Sequence, residues 1–188
     1  MGFTNSDGSD LIGGLNPSGI GQALEVDASG RLITQDFIRQ AVIAGQDFIV
    51  NNTSPSLNAN TYALSVFNPA NSGKSILIYS VRMANGGGPS IQQLTTGTSD
   101  PAYGNSATPI NTKIGGAASA IATHVTYATT NQSVSGTVLI IEPGPQNTPV
   151  EMLSAPVLLP AGSAKGLIAF MTTFSNGYLA QSMRWIEF

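Results

Sequence analysis

The chain of 188 residues has no cysteine and a single histidine, and only 9% of it is Asp, Glu, Lys or Arg. Without cysteine there is no thiol nucleophile, no zinc–thiolate site and no disulfide, and the redox state of the compartment leaves no mark on the sequence. One imidazole, His124, cannot build a two-histidine metal site. The basic residues stand singly, as Arg31, Arg39, Lys74, Arg82, Lys113, Lys165 and Arg184, in a chain of net charge −3. A basic stripe for phosphate backbones is therefore missing, as is a polybasic patch for anionic lipid, so neither nucleic acid nor a membrane is an expected partner. No apolar run approaches the ~20 residues that span a bilayer. The opening MGFTNSDGSD lacks the charged and apolar regions of a signal peptide. Met1-Gly2 with Ser6 fits a myristoylation pattern, with no second membrane signal beside it. The sequons at Asn51, Asn52 and Asn131 read as chance matches.

What is present is a chain 41% hydrophobic with 21 glycines, in which Ser, Thr, Asn, Gln and Ala fill the polar role. An ordinary soluble domain carries about 25% charged residues. So neutral a surface suits a protein packed into an assembly or durable outside the cell. The length fits one domain with an appended arm, and such a chain buries roughly 70% of its unfolded surface without a staple.

Residues 1–45 read as an N-terminal arm with one short helix, and 46–188 as the folded domain. Residues 1–30 are rich in Gly, Asn, Ser and Asp and predict an extended arm. Within Ala23–Ile33, Asp27 to Gly30 could turn a small hairpin. A helix is predicted over about 35–44, capped by Thr34, with Asp36 in its positive first turn and Gly45 at its end. Phe37, Ile38, Ala41 and Val42 form its apolar stripe. About ten residues make a marginal helix alone, so it should dock on something.

From Gln46 onward the pattern is strands and turns, at 46–52, 60–68, 74–83, 90–96, 119–129, 135–142, 165–174 and 179–188. Tyr62, Leu64 and Val66 alternate with Thr61, Ala63 and Ser65, the mark of a half-buried strand. Segments 74–83 and 135–142 are apolar on both faces and predict interior strands. In 119–129, Ile121, Val125 and Tyr127 share a face, with His124 on the other. Asn176-Gly177 between two strands is a type I′ hairpin signal. Segment 97–118 predicts a long irregular loop that could cover a neighbour. The whole predicts an all-β antiparallel sandwich; jelly-roll and immunoglobulin-like arrangements both fit, and a count near eight favours the jelly roll.

The motifs that carry chemistry elsewhere fail here on context. Asn68-Pro69-Ala70-Asn71-Ser72-Gly73-Lys74-Ser75 ends like a P-loop, but Asn68 replaces the first glycine and a strand follows instead of a phosphate-binding helix, so it reads as a hairpin loop. His124 lacks a G-x-S-x-G nucleophile to serve. The carboxylate pairs Glu25/Asp27 and Asp7/Asp10 lie in the arm, where geometry is not held, and Asp7–Asp10 is too short for a calcium loop. Trp185 could offer a glycan platform or anchor the closing strand in the core.

Three segments are familiar together: Ala63–Val81 (ALSVFNPANSGKSILIYSV), the Leu-Pro-Ala-Gly turn in Leu158–Phe170, and the terminal Met183–Phe188 (MRWIEF). With the helix and its "IRQA", they resemble small β-sandwich virion structural proteins of tailed bacteriophages over about half the chain, Pro69, Gly73 and Gly162 matching as turn residues. The resemblance implies a non-enzymatic protein with no cofactor and no metal, located in the virion and assembled in the bacterial cytoplasm. Such a protein is commonly a homotrimer that decorates or reinforces the particle against the major capsid or tail protein. Phe3, Leu11, Ile12 and Leu15 in the arm, with Phe37, Ile38 and Val42 in the helix, would be its partner-binding anchors. The alternative is a receptor- or glycan-binding module on a phage fibre.

Overall fold

The computed structural model describes residues 3–4, 10–11, 13–15, 21–23, 37–57, 61–88, 90–101, 103, 105–128, 136–172 and 177–188. Met1–Gln40 forms one compact unit and Ala41–Phe188 a second. In the first, β1 (Phe3–Thr4) pairs antiparallel with β2 (Asp10–Leu11), and β3 (Gly13–Leu15) with β4 (Gly21–Ala23). The segment read as an extended arm therefore turns back on itself twice. Beyond Ala23, the predicted small hairpin lies outside the described residues, as do the predicted cap Thr34 and the first-turn Asp36.

Helix α1 spans Phe37–Ala44. It ends where predicted, at Gly45, whose φ of 72° a side chain would strain. The N–H of Gly45 donates to Val42 O and that of Gln46 to Ala41 O, which satisfies two of the orphan carbonyls of the last turn. Ala41 is buried, Ile38 and Val42 are half-buried and Phe37 is exposed.

The second unit is a sandwich of two antiparallel sheets. Its principal strands are β5 (Asp47–Leu57), β6 (Thr61–Asn68), β7 (Ile76–Asn85) and β8 (Ser90–Gly97), then β12 (Thr137–Gly144), β14 (Val157–Leu159), β15 (Lys165–Thr172) and β16 (Gly177–Glu187). Smaller strands are β9 (Asn105–Ser106), β10 (Ile110–Asn111), β11 (Val125–Ala128) and β13 (Val150–Glu151). One sheet runs β10-β5-β16-β7-β13, with β14 also on β7; the other runs β12-β8-β15-β6-β11-β9. Among the eight principal strands the first pairs the last (β5–β16), the second the seventh (β6–β15), the third the sixth (β7–β14) and the fourth the fifth (β8–β12). That nested pairing is a long hairpin rolled into two layers, the jelly roll.

Period-two alternation explains the core. Phe48 and Val50 of β5, Ile76 and Met83 of β7, and Met183 and Trp185 of β16 face Leu64, Leu94, Leu167 and Met171 of the other sheet, all buried. Seven of the eight predicted strands land on principal strands and 119–129 on β11, while β14 has no predicted counterpart; β7 lies inside its sheet as its two apolar faces require. Three readings change. Residues 119–124 are a turn and a single 3-10 turn (Ala122–His124), and only Val125–Ala128 is strand. Residues 68–75 and Asn176-Gly177 do not close hairpins, because β6 and β7, like β15 and β16, belong to different sheets. Turn chemistry fixes where the chain reverses but not which strand it then pairs with. Finally, β12 is an edge strand, not an interior one: Val138, Leu139 and Ile141 are 44%, 45% and 59% exposed.

The long segment between β8 and β11 covers its own sandwich. Tyr103 joins Ala63, Ala128, Ile168 and Phe170 in a second apolar cluster. β9 then pairs with β11, Ala107 enters the main core, and β10 pairs with β5. The segment thus crosses from the edge of one sheet to the edge of the other and closes that flank.

Candidate functional site

The three segments Ala63–Val81, Leu158–Phe170 and Met183–Phe188 meet at one corner. Asn68, fully buried, donates from Nδ2 to Lys74 O, Leu159 O and Pro160 O at 2.9, 3.0 and 3.0 Å, and its Oδ1 accepts from Ser72 Oγ at 2.6 Å. Ser75 exchanges backbone hydrogen bonds with Phe188 at 2.9 and 3.1 Å, and its Oγ accepts from Ala161 N–H. Gly73, at φ 65°, completes the turn. The P-loop-like string is thus a clasp between chain segments, with its amide spent on protein carbonyls.

The acidic groups at the buried ends of strands are similarly engaged. Asp47 has no exposed surface. Its carboxylate accepts from Tyr79 Oη at 2.7 Å, Thr112 Oγ1 at 2.7 Å and Arg184 Nη2 at 2.9 Å, and the guanidinium lies 5.3 Å from the Tyr79 ring centroid. Tyr79 reaches it because it is the extra residue of a bulge in β7 against β16. Burial, and then the hydrogen bond to Asp47, hold the Tyr79 phenol well above its ordinary pKa. Glu187 accepts from Ser119 Oγ, Ala120 N–H and the Trp185 indole N–H, the last at 3.0 Å. Both carboxylates tie the covering segment to the sheet.

Trp185 is fully buried and stacks on Phe48, with centroids 6.0 Å apart and planes at 23°. It presents no face to a sugar, so the platform reading is corrected and the core-anchor reading holds. Tyr103 is also buried. Among the arm residues, Phe3 is in register with Leu11 and Leu15 with Gly21; Ile12 lies outside the described residues. The pairs Glu25/Asp27 and Asp7/Asp10 keep only Asp10 within them.

His124 Nδ1 lies 2.6 Å from Asp100 Oδ2, the base–acid half of a triad. The ring also lies 6.3 Å from that of Phe67 between centroids, and among the described residues no hydroxyl is hydrogen-bonded to it. The pair pins the covering segment to the 3-10 turn. A hollow of about 270 Å³ on the β5-β16-β7 sheet is lined by Asn51, Thr53, Arg82, Ala84, Pro149 and Ser182 among others. Its one cation, Arg82, pairs with Glu151 at 3.2 Å. Among the described residues no three His, Asp or Glu side chains converge as metal ligands, and no helix is long and apolar enough to cross a membrane.

Comparison with protein-family models, curated proteins and solved structures finds no match for this chain.

What remains as candidate surface is apolar. Val138, Leu139 and Ile141 of β12 and Leu158 of β14, the last 52% exposed, are large apolar side chains left outside. These residues occupy the flank opposite the one closed by the covering segment. Sequence reasoning missed this surface because an edge strand with apolar side chains reads as an interior one.

Proposed function

We propose that the chain is a non-enzymatic structural protein of a tailed-bacteriophage virion, which self-associates and decorates or reinforces the capsid or tail. The observation that carries this reading is the pairing of a nearly uncharged composition with large apolar side chains left outside on the sandwich, Val138, Leu139 and Ile141 of β12 among them. Large apolar groups on a surface with few charges mark contact with protein. Neutral Asn, Ser and Thr around them make contacts with little charge to desolvate. The jelly roll supports the reading as an architecture found in capsid and lectin domains, although fold alone does not assign function.

The resemblance adds the homotrimer and, as outside partners, the major capsid or tail protein. The rival reading, a receptor- or glycan-binding module, calls for an exposed aromatic platform; Trp185, the ring the sequence offers for it, is fully buried.

The test is solution mass by size exclusion with light scattering, on the full chain and on a chain beginning at residue 46. An oligomer in both supports assembly through the sandwich, with the arm left for the particle. An oligomer in the full chain alone makes the arm the assembly element. A monomer in both overturns the reading.

A further inference from the structure

β12 is an eight-residue principal strand that combines an open edge with apolar residues on both faces. On one side it pairs with β8, and on the other it has no partner among the described residues. Alternate residues of an antiparallel edge strand aim their N–H and C=O groups outward, where only another extended strand satisfies them all. Natural edges are usually blunted by lysine or by inward charge. β12 carries Glu142 as its only charge and Pro143 near its end.

We propose that the free edge of β12 is where two copies of the chain join, strand to strand and antiparallel, about a two-fold axis centred on Leu139-Ile140. This deepens the self-association proposed above and rests on it. The second copy is the occupant because it supplies an edge of the same length and character, and because one register satisfies every side chain. In that register Val138 faces Ile141 of the second copy, Leu139 faces Ile140, and Thr137 faces Glu142.

Opposed residues of an antiparallel pair must share a face, and adjacent positions in a regular strand do not. Leu139 is the extra residue of a bulge, which sets Val138 opposite Thr95 and Ile141 opposite Gln93. Gln93 and Thr95 share a face, joined by the hydrogen bond from Gln93 Nε2 to Thr95 Oγ1. Val138 and Ile141 therefore lie on one face too. A bulge ordinarily discourages edge pairing; on the axis it supplies the parity that self-pairing needs. The register also keeps the two Glu142 side chains at opposite ends of the ladder, about 17 Å apart at ~3.4 Å per residue. Sliding toward the C-terminal ends sets Glu142 against Leu139 or Ile141.

A two-fold contact doubles whatever else the chain forms, so the full protein is expected at an even number of copies, a dimer or paired trimers. The double variant Val138→Lys/Ile141→Lys places charge on exposed positions and should halve the mass. Ile114→Lys, a fully exposed isoleucine away from β12, should leave it unchanged. Because the chain has no cysteine, V138C/I141C can cross-link only through its new thiols. In this register it should give a covalent dimer on mild oxidation, whereas V138C alone, with its thiols diagonal across the axis, should not.

A folded lysine variant of unchanged mass overturns the proposal. If that variant fails to fold, absence of the cysteine-linked dimer overturns it instead. An odd-numbered oligomer untouched by the lysines sinks the β12 contact and leaves self-association standing; a monomeric full chain sinks both.

Discussion

Trp185 combines full burial, a stack on Phe48 and an indole N–H donated to the buried Glu187. Trp185→Ala should therefore cost about 3–5 kcal/mol through the cavity it leaves, with a further loss from Glu187's missing donor. Urea unfolding followed by far-UV circular dichroism measures it; a variant as stable as the parent would deny the core role. Gln92 is the opposite case. Its side chain is fully buried on β8, and neither amide atom has a hydrogen-bond partner among the described residues. An unsatisfied buried amide carries the desolvation penalty without the bond, so Gln92→Leu should stabilise by about 1 kcal/mol in the same assay. At Tyr79 the folded state holds the phenol proton more tightly than the unfolded chain does. Its contribution is complete below the unfolded tyrosine value of about 10 and declines as pH rises through that value toward the folded pKa. Burial raises Tyr103 in the same direction. The stability curve should fall on its alkaline side, and Tyr79→Phe should flatten that fall while losing the hydrogen bond to Asp47.

Strands and turns differ in how far they can be read from sequence. Alternation such as Leu64-Ser65-Val66 locates β6 because a half-buried strand has period two, and the apolar faces of 74–83 place β7 inside its sheet. Partners are another matter. Asn176-Gly177 specifies a local reversal, and Pro69 with Gly73 another, yet each joins strands of different sheets, since pairing is set by contacts more than a hundred residues away in sequence. β12 misleads for a related reason: an apolar edge destined for another chain carries the same pattern as an interior strand. Of the candidate site residues, the helix was legible from its spacing, though of its stripe only Ala41 is buried and Phe37 is exposed; Trp185's burial was not, because an aromatic in a closing strand suits core and surface equally. The clasp of Asn68 was hidden because its partners are main-chain carbonyls at Lys74, Leu159 and Pro160, which no residue identity announces. Asn68→Ala removes the donor shared by Lys74 O, Leu159 O and Pro160 O and the acceptor of Ser72 Oγ at the junction of β6, β14 and the β15 turn. It should cost about 2–3 kcal/mol, and Asn68→Asp, which loses the donor and adds charge, should cost more. Thermal unfolding of the pair tests this, and equal loss in both would contradict the donor role.

At the scale of the whole molecule, nested pairing means that few principal neighbours are neighbours in sequence. Contacts of long sequence separation must overcome loop-closure entropy before they stabilise anything, which makes folding slow. The first sandwich strand, β5, pairs with β10 and with the last strand, β16. A chain ending at residue 176 should therefore show fast amide hydrogen exchange at Val50, where the full chain shows strong protection; protection in the shorter chain would refute this dependence. Biosynthesis inherits the same order. A ribosome adding about 5–20 residues each second needs on the order of ten seconds to go from the end of β5 to the end of β16. Over that interval Phe48 and Val50 wait in the cell without the strand that will cover them. A nearly neutral nascent chain has little charge repulsion to keep such segments from meeting those of neighbouring polysomes. The yield of folded protein then depends on the rate of translation and on chaperones holding β5 apart until β16 has left the exit tunnel.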